Sequence, residues 1–336
     1  MKKFSVILLC LLLLTGCGEK KKDEFSTLGY NKDQIKVINT LKNPKQILKY
    51  KYNKNIIELI KTKDFKEENL DKYIKLDEKT ELSNEDIIFI VNNNYYDEKI
   101  EYSEKVLTFM KAKYFVFENL DRYLKYNNED INTTIKEVNA NLDYDYYTNI
   151  KEVDLTKGKL MLVNKYYKLS SDYVPENLVN ISSEHGYGQL DSDVYEAFKV
   201  MYNDALKEGL HLYIRSPYRS YSVQNGLYER YASSDGYALA DTYSARPGHS
   251  EHQTGLAFDV TSTSTDLGTF ENTPEFNWMK ENAHNYGFIL RYPKGKEDLT
   301  GYVYESWHYR YVGKDVATQI YNEDITFEEY YAYYVK

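Results

Sequence analysis

Apolar residues recur at helical spacing through much of the first 150 residues. Three phrases share this pattern: NKDQIKVINTL from Asn31, NEDIIFIVNNN from Asn84 and NEDINTTIKEVNAN from Asn128. In each phrase a polar residue of the kind that caps helices is followed by acidic residues and then by apolar positions three or four apart. Such side chains accept hydrogen bonds from the first free N–H groups of a helix. The pattern therefore predicts short, capped, amphipathic helices.

The same part of the chain contains an internal repeat. KTKDFKEENLDKYIK, from Lys61, returns fifty residues later as KAKYFVFENLDRYLK, from Lys111. Repeats of this length are typical of stacked helical hairpins that bury a face only against their neighbours. We therefore predict an all-α repeat region over residues 27–150. No cluster of acids, bases or metal ligands stands out in it, so a spacer is the favoured interpretation. Binding to wall polymer or to an unknown partner is the alternative.

From about residue 155 the pattern becomes mixed. Strand-like segments are HLYIRS from His211, FILRYP from Phe288 and WHYRYVG from Trp307. Helical spacing separates them but does not alternate with them as a doubly wound sheet requires, so residues 155–336 are predicted to form one α+β domain. Its expected architecture is a mainly antiparallel sheet with flanking helices. KLMLVNKYYKL, from Lys159, is typical of a strand, and ADTYSARPG, from Ala240, is typical of a loop.

The first residues have the layout of a secretory signal. Two lysines precede an apolar run from Phe4 to Leu14, which is short for a permanent membrane span. Leu-Thr-Gly-Cys, ending at Cys17, resembles a bacterial lipobox, which implies a signal peptide over 1–17 and lipidation of Cys17. Residues 18–26 would then tether the protein to the outer face of the bacterial cytoplasmic membrane. The alternative is an ordinary signal whose cysteine is incidental.

The composition limits which residue types can form a metal site and which classes of partner the protein can bind. The chain has two cysteines, and Cys10 lies inside the predicted signal, so any metal site of the mature protein must use His, Asp and Glu. The formal net charge is −9, and a balance of this sign argues against a nucleic-acid partner.

Two of the six histidines lie in PGHSEHQTGLAFDV, from Pro247. His252 precedes Asp259 by seven positions, an odd separation that would place the two side chains on opposite faces of a straight strand. Gly255 is suited to a turn between them. A bend followed by a strand therefore allows the imidazole and the carboxylate to meet.

A third candidate ligand lies in YESWHYRYV near the C-terminus. Two imidazoles and one carboxylate, from His252, His308 and Asp259, form a chemically sound zinc set that leaves a fourth position for water. Zinc in such a set lowers the pKa of bound water to about 7. Glu305, three residues before His308, is a candidate general base beside that water.

These phrases together resemble a known family. SEHQTGLAFD, from Ser250, and ESWH, from Glu305, are similar to the SxHxxGxxxD…ExxH signature of the VanY-type D-alanyl-D-alanine carboxypeptidases. SPYRSYSVQ from Ser216 and NAHNYGFILRYPKGKEDLTGY from Asn282 also resemble family blocks in family order. The likeness covers about residues 160–320. One departure is Pro217, where a glycine is common.

The resemblance implies a role for each matching residue. The implied fold is that of the D,D-peptidases and hedgehog signalling domains. The implied zinc ligands are His252, Asp259 and His308, the base is Glu305, the residue facing the substrate carbonyl or carboxylate is Arg219, and Ser250 and Gln224 line the peptide cleft. A capping box from Ser250 to Gln253 is the structural alternative for Ser250.

The implied reaction removes the C-terminal D-alanine from peptidoglycan stem peptides. Two alternatives keep the same zinc chemistry, namely an L,D-carboxypeptidase that trims tetrapeptides and an endopeptidase that cuts within the stem. A third is a non-catalytic, zinc-containing, wall-binding lipoprotein. The presence of both Glu305 and Arg219 favours catalysis, because a binding protein needs neither a base nor a group for an oxyanion.

Overall fold

The structure is a computed structural model that describes residues 23–126, 130–262 and 266–335. The predicted signal peptide, Cys17 and most of the predicted tether lie outside the described residues. Among the described residues, every helix falls short of the length and apolar character that a bilayer crossing requires.

The chain divides into two compact units, one ending at Leu107 and the other beginning at Thr108. This division falls inside the region predicted as one repeat array, 27–150, so that array remains a prediction as a domain. The helices up to the division are α1 Glu24–Leu28, α2 Lys32–Ile38, α3 Lys54–Lys61, α4 Leu70–Asp77, α5 Asn84–Asn92 and α6 Glu104–Lys111, the last of which crosses it. Ile38, Ile47 and Ile56 lie in the apolar core of the first unit.

The predicted capped helices are present. The Asn31 side chain accepts hydrogen bonds at the start of α2 and forms a capping box with Gln34. The Ser83 hydroxyl accepts from the backbone N–H of Asp86 at the start of α5. Asp130 caps a later helix, α8 (Ile131–Asn139), in the same way.

The two copies of the repeat adopt the same local structure. The hydroxyl of Tyr73, in the first copy, donates to Oδ1 of Asn92 (2.6 Å) at the end of α5, and Asn92 Nδ2 donates to the carbonyl of Asp64 (2.9 Å). The second copy repeats both contacts, from Tyr123 to Asn139 (2.5 Å) and from Asn139 to the carbonyl of Tyr114 (2.9 Å). Asp64 and Tyr114 both have left-handed backbones, at φ 64° and 65°. The internal repeat of the sequence therefore corresponds to a repeated hydrogen-bonded corner.

The second unit is an α+β structure around one main sheet. Its helices are α7 Leu120–Tyr126, α8, α9 Ser192–Lys207, α10 Tyr221–Asp235, α11 Tyr237–Tyr243, α12 Pro274–Asn282, α13 Glu297–Thr300, α14 Lys314–Glu323 and α15 Phe327–Tyr330. Its strands are β1 Lys151–Glu152, β2 Tyr167–Lys168, β3 Leu178–Asn180, β4 Gln189–Asp191, β5 Leu212–Ser216, β6 Ala257–Ser262, β7 Phe288–Tyr292 and β8 Glu305–Tyr311. The main sheet has the order β5-β6-β8-β7, and every neighbouring pair in it is antiparallel. The α+β class and the antiparallel sheet are thus confirmed.

The two faces of this sheet have different roles because side chains alternate along a strand. Phe258 of β6 packs edge-on against Phe198 of α9 and Phe288 of β7, with ring centroids 5.4 Å and 5.2 Å apart. These residues belong to the main apolar core of the unit. The neighbouring positions Asp259 of β6 and His308 of β8 are paired across the sheet on the opposite face. That face carries the polar site.

Two local predictions were correct only in part. The segment from Lys159 was expected to be a strand, but a 3₁₀ turn covers Leu155–Leu160 and only Tyr167–Lys168 pairs as a strand. The apolar residues of the segment, such as Val163, are buried in irregular backbone, which an apolar run cannot distinguish from a strand. The segment from Ala240 was expected to be a loop, but α11 extends through Tyr243.

Candidate active site

A tight bend brings His252 to Asp259. A 3₁₀ turn covers Glu251–Thr254, and Gly255 then adopts a left-handed conformation (φ 69°) before β6 begins. A Cβ atom on Gly255 would lie 2.9 Å from Leu178 Cδ2, so both the backbone angle and the space favour glycine. The predicted turn is therefore present, and His252 Nε2 lies 3.3 Å from Asp259 Oδ1.

An irregularity in β8 brings Glu305 beside His308. Leu290 pairs with Tyr309, whereas Tyr292 pairs with Glu305, so an advance of two positions along β7 corresponds to four positions along β8. In a regular strand a separation of three would place Glu305 and His308 on opposite faces. Here Glu305 Oε2 lies 3.6 Å from His308 Nδ1.

Three buried side chains converge as a metal site would require. Among the described residues, His252, Asp259 and His308 form a group whose ligand atoms all lie within 4.8 Å of one another. His308 Nδ1 is 3.1 Å from Asp259 Oδ1. Both His252 Nε2 and Asp259 Oδ1 are buried without a hydrogen-bond partner among the described residues. Buried polar atoms are rarely left unpaired, so their convergence fits a zinc ion.

The backbone fixes which nitrogen of His252 faces the group. Its Nδ1 lies 2.8 Å from the carbonyl oxygen of Pro217, which can only accept a hydrogen bond. Nδ1 is therefore the protonated nitrogen, and the lone pair of Nε2 points to Asp259. Proline at position 217, where a glycine is common in the resembled family, keeps this carbonyl group.

The protonation states of His252 and Asp259 near pH 7 are the ones that bind a metal ion. Burial, together with the nearby Arg219, lowers the pKa of His252 to about 4, so its imidazole is neutral near pH 7. Burial alone would raise the pKa of Asp259, but His252 and His308 outweigh it and hold that pKa well below its usual range. A neutral imidazole and an ionised carboxylate are the forms that bind zinc.

Glu305 is buried more deeply than an ordinary carboxylate. The residue is 8% exposed, and burial, reinforced by the charge of Asp259 and opposed by His308, raises its pKa to about 8. A carboxylate whose pKa lies near neutrality can both take up and return a proton. This property suits the predicted role of general base.

Zinc binding is expected to displace a proton from His308. Burial opposes its charged form, but the neighbouring carboxylates of Asp259 and Glu251 outweigh burial and raise its pKa to about 9 in the metal-free protein. Because the bound proton must leave before Nδ1 can bind zinc, apparent zinc affinity should rise roughly tenfold per pH unit between about pH 6.5 and 8. Titration with a competing chelator at several pH values measures this dependence. An affinity that does not change over the range would contradict it.

The candidate ligands open onto a cleft of about 480 Å³. All the site residues predicted from the sequence line it, namely Arg219, Gln224, Ser250, His252, Asp259, Glu305 and His308. Trp307 and Tyr292 form part of its wall. The structure therefore brings together every residue that the resemblance assigned to the site.

Three residues that line the cleft, Gln224, Arg219 and Ser250, differ in the hydrogen bonds that their side chains make. Gln224 Nε2 donates to the carbonyl of Ala245 (2.7 Å), and Gln224 Oε1 is buried without a partner among the described residues. Arg219 Nε is also buried and unpaired within the described part of the chain. Ser250 precedes the 3₁₀ turn but makes no side-chain capping bond, so the capping-box alternative was wrong.

One buried residue at the site was not predicted. Glu251 is 1% exposed and accepts hydrogen bonds from Arg291 Nε (2.8 Å) and Arg310 Nη1 (2.9 Å). Burial would raise the pKa of Glu251, but the two arginines outweigh it and hold that pKa far below its usual range. In the sequence Glu251 is simply the residue between Ser250 and His252. Its arginine partners lie 40 and 59 positions away, so no local signal identifies it.

Comparison with known proteins identifies the family to which this chain belongs. A family model described as VanY, D-alanyl-D-alanine carboxypeptidase, matches residues 188–314. The chain is 40% identical to YodJ of Bacillus subtilis (strain 168) over 56% of this chain and 75% of YodJ. It is 38% identical to a D-alanyl-D-alanine carboxypeptidase of Enterococcus faecium over 55% of this chain and 61% of that protein.

A solved structure also supports the family assignment. The structure of the LdcB LD-carboxypeptidase matches with a TM-score of 0.52 and 40% identity, over 55% of this chain and 90% of LdcB. The predicted peptidase fold and the predicted enzyme class, a hydrolase, are therefore confirmed. The protein belongs to the VanY family of D-alanyl-D-alanine carboxypeptidases.

Proposed function

We propose that this protein removes the C-terminal D-alanine from peptidoglycan stem pentapeptides in a zinc-dependent reaction. The observation that carries the proposal is the convergence of His252, Asp259 and His308 beside Glu305 in one cleft. A binding protein would have no use for a buried carboxylate with a raised pKa next to a metal site.

The chain's own residues suit hydrolysis of a peptide bond. Zinc bound by His252, Asp259 and His308 would polarise the scissile carbonyl and activate water. Glu305 takes the proton of the attacking water and delivers it to the leaving amine. Arg219 lines the same cleft and supplies a fixed positive charge for the oxyanion that develops on the carbonyl oxygen. Because the nucleophile is water, no acyl-enzyme forms.

The relatives support two candidate specificities. The D-alanyl-D-alanine carboxypeptidase of E. faecium supports cleavage between two D-alanines. The likeness to LdcB supports an L,D-carboxypeptidase as the second candidate. The two reactions share the same metal chemistry and differ in the residue that precedes the terminal D-alanine. We favour the D,D reaction, which is the activity named for the family model.

A direct assay separates these candidates. The full chain in detergent is incubated with a stem pentapeptide ending in D-Ala-D-Ala and with the matching tetrapeptide ending in one D-Ala, and products are identified by mass. We expect release of one alanine from the pentapeptide, lost with a chelator and restored by zinc. Cleavage of the tetrapeptide alone would replace the D,D proposal with the L,D one. If zinc-loaded, folded protein cleaves neither peptide, the proposed function is wrong.

We also propose that the protein is anchored by lipid at Cys17 on the outer face of the cytoplasmic membrane. The support is the apolar run, Phe4 to Leu14, that ends in Leu-Thr-Gly-Cys. Cys17→Ser is expected to move the protein from the membrane to the soluble fraction, because the thiol that accepts the lipid is lost. Membrane fractionation of cells expressing either form tests this. An unchanged membrane fraction would argue against lipidation. The region 27–150 is proposed to act as a spacer beyond the anchor.

A further inference from the structure

We propose that Glu251 is a positioning residue for the zinc ligand His308. Its carboxylate holds the far nitrogen of the imidazole, and two buried arginines in turn hold the carboxylate. This inference rests on the zinc set proposed above but concerns a residue outside that set.

The two oxygens of Glu251 have different surroundings. Oε1 is bound by Arg291 and Arg310, at 2.8 Å and 2.9 Å. Oε2 lies 3.5 Å from His308 Nε2, and both atoms are buried without a hydrogen-bond partner among the described residues. An unpaired buried carboxylate oxygen is costly, so an imidazole N–H facing it is a favourable partner. A small rotation of the His308 ring would bring the two atoms within hydrogen-bond distance.

The orientation of His308 turns its Nε2 toward a position where a hydrogen-bond acceptor is needed. Its Nδ1 faces the metal group, 3.1 Å from Asp259 Oδ1, while its Nε2 faces away from it, toward Glu251. When Nδ1 is the ligand, Nε2 carries the proton of the neutral ring. A carboxylate on that proton fixes both the tautomer and the direction of the lone pair. His252 obtains the same support from the carbonyl of Pro217, so each histidine has its own acceptor behind it.

The arginines connect Glu251 to the C-terminal part of the chain. Arg291 also donates to both oxygens of Glu328 in α15, at 2.8 Å and 2.6 Å. Arg310 donates a further hydrogen bond to the carbonyl of Met161 (2.8 Å). The two arginines and two glutamates are all buried, at 0–2% side-chain exposure, and their charges balance. With Oε1 accepting from two buried arginines, the carboxylate of Glu251 has little freedom to turn away from His308.

Glu328 provides a matched control for Glu251. Both are buried carboxylates on Arg291, with 2% and 1% exposure, but in the described part of the chain only Glu251 lies against a metal-site histidine. Removing either charge disturbs the same buried network and is expected to lower stability. If Glu251 were merely structural, the two variants would behave alike toward zinc.

The test compares zinc affinity in the full chain by competition with a chelator, alongside thermal unfolding of the metal-free forms. Glu251→Gln is expected to weaken zinc binding about 10- to 100-fold, the usual cost of losing a partner behind a ligand. Glu328→Gln is expected to lower the unfolding temperature while changing zinc affinity less than about threefold. Equal zinc affinities for Glu251→Gln and wild type, or equal losses in both variants, would overturn the proposal.

Two further measurements keep the proposal testable if Glu251→Gln does not fold. Glu251→Asp keeps a carboxylate for the arginines, but its side chain is one methylene shorter and its carboxylate lies farther from His308. Weaker zinc binding with near-normal stability is therefore expected. In zinc-loaded wild type, ¹H–¹⁵N NMR should show a His308 Nε2–H that is shielded from solvent exchange and shifted downfield. An Nε2–H in fast exchange with water would contradict the proposal. Failure of wild type to bind zinc at all would instead refute the proposed zinc set.

Discussion

Glu305→Gln is expected to reduce turnover of the D-Ala-D-Ala peptide by about 10²- to 10⁴-fold while the protein keeps its zinc. Glutamine has nearly the same shape as glutamate but cannot accept the proton of the attacking water. Glu305 is not part of the group formed by His252, Asp259 and His308, so the metal should remain bound. The measurement is kcat on the pentapeptide, with zinc content determined on the same sample.

A matched substitution on an exposed carboxylate controls for general effects. Glu271 is exposed, and Glu271→Gln is expected to leave turnover unchanged. If zinc-loaded Glu305→Gln retained turnover within about tenfold of wild type, Glu305 would not be the base. Loss of zinc from that variant would show that Glu305 contributes to metal binding instead.

His252→Ala is expected to have the second largest effect, because it removes a ligand. Zinc affinity should fall by more than the roughly 10- to 100-fold that follows loss of an outer partner, and activity at limiting zinc should disappear. His252 Nε2 is buried and unpaired among the described residues, so its removal breaks no other side-chain hydrogen bond of that atom. Zinc content after dialysis measures the result.

His249→Ala is the control for this variant. His249 is also buried, at 4% exposure, but its Nδ1 contacts the carbonyl of Asn164 (2.7 Å) and it is not part of the metal group. It should therefore lose stability without losing zinc. If His249→Ala lost zinc as completely as His252→Ala, zinc loss would reflect general disruption and not removal of a ligand.

The sequence predicted one half of the site because its geometry is local. The bend between His252 and Asp259 depends on Gly255, and the need for glycine at a left-handed position is visible in the sequence. Because side chains alternate along a strand, Asp259 lies on the face of β6 opposite to Phe258, which is in the apolar core. The meeting of His252 with Asp259 follows from these two features.

The other half of the site depends on pairing between distant strands. Glu305 and His308 share a face only because β8 is irregular opposite β7, and nothing within the phrase ESWH indicates this. The sequence therefore offered His308 as a candidate ligand and Glu305 as a candidate base by residue type, and the family resemblance assigned both to one site. Glu251 escaped prediction for the same reason, since its role depends on Arg291 and Arg310, which other strands supply.

In the helical region before residue 150, too, the sequence predicted only features that depend on residues close together in the chain. The cap at Asn31 was predictable because it involves residues within three positions, and the cap of α5, Ser83, lies one residue before the phrase that the pattern identified. The hydrogen-bonded corner from Tyr73 to Asn92 spans 19 positions, and the repeat in the sequence predicted a recurring unit but not this contact. The place at which the chain divides, at Leu107, was also not visible in the periodicity.

The most direct test of the central claim is X-ray diffraction from zinc-loaded crystals at the zinc absorption edge. The account predicts one anomalous peak per chain, about 2.0–2.2 Å from His252 Nε2, Asp259 Oδ1 and His308 Nδ1. It also predicts a non-protein oxygen in the fourth position on the side of Glu305. A peak coordinated by other residues, or none in crystals soaked with zinc, would contradict the account.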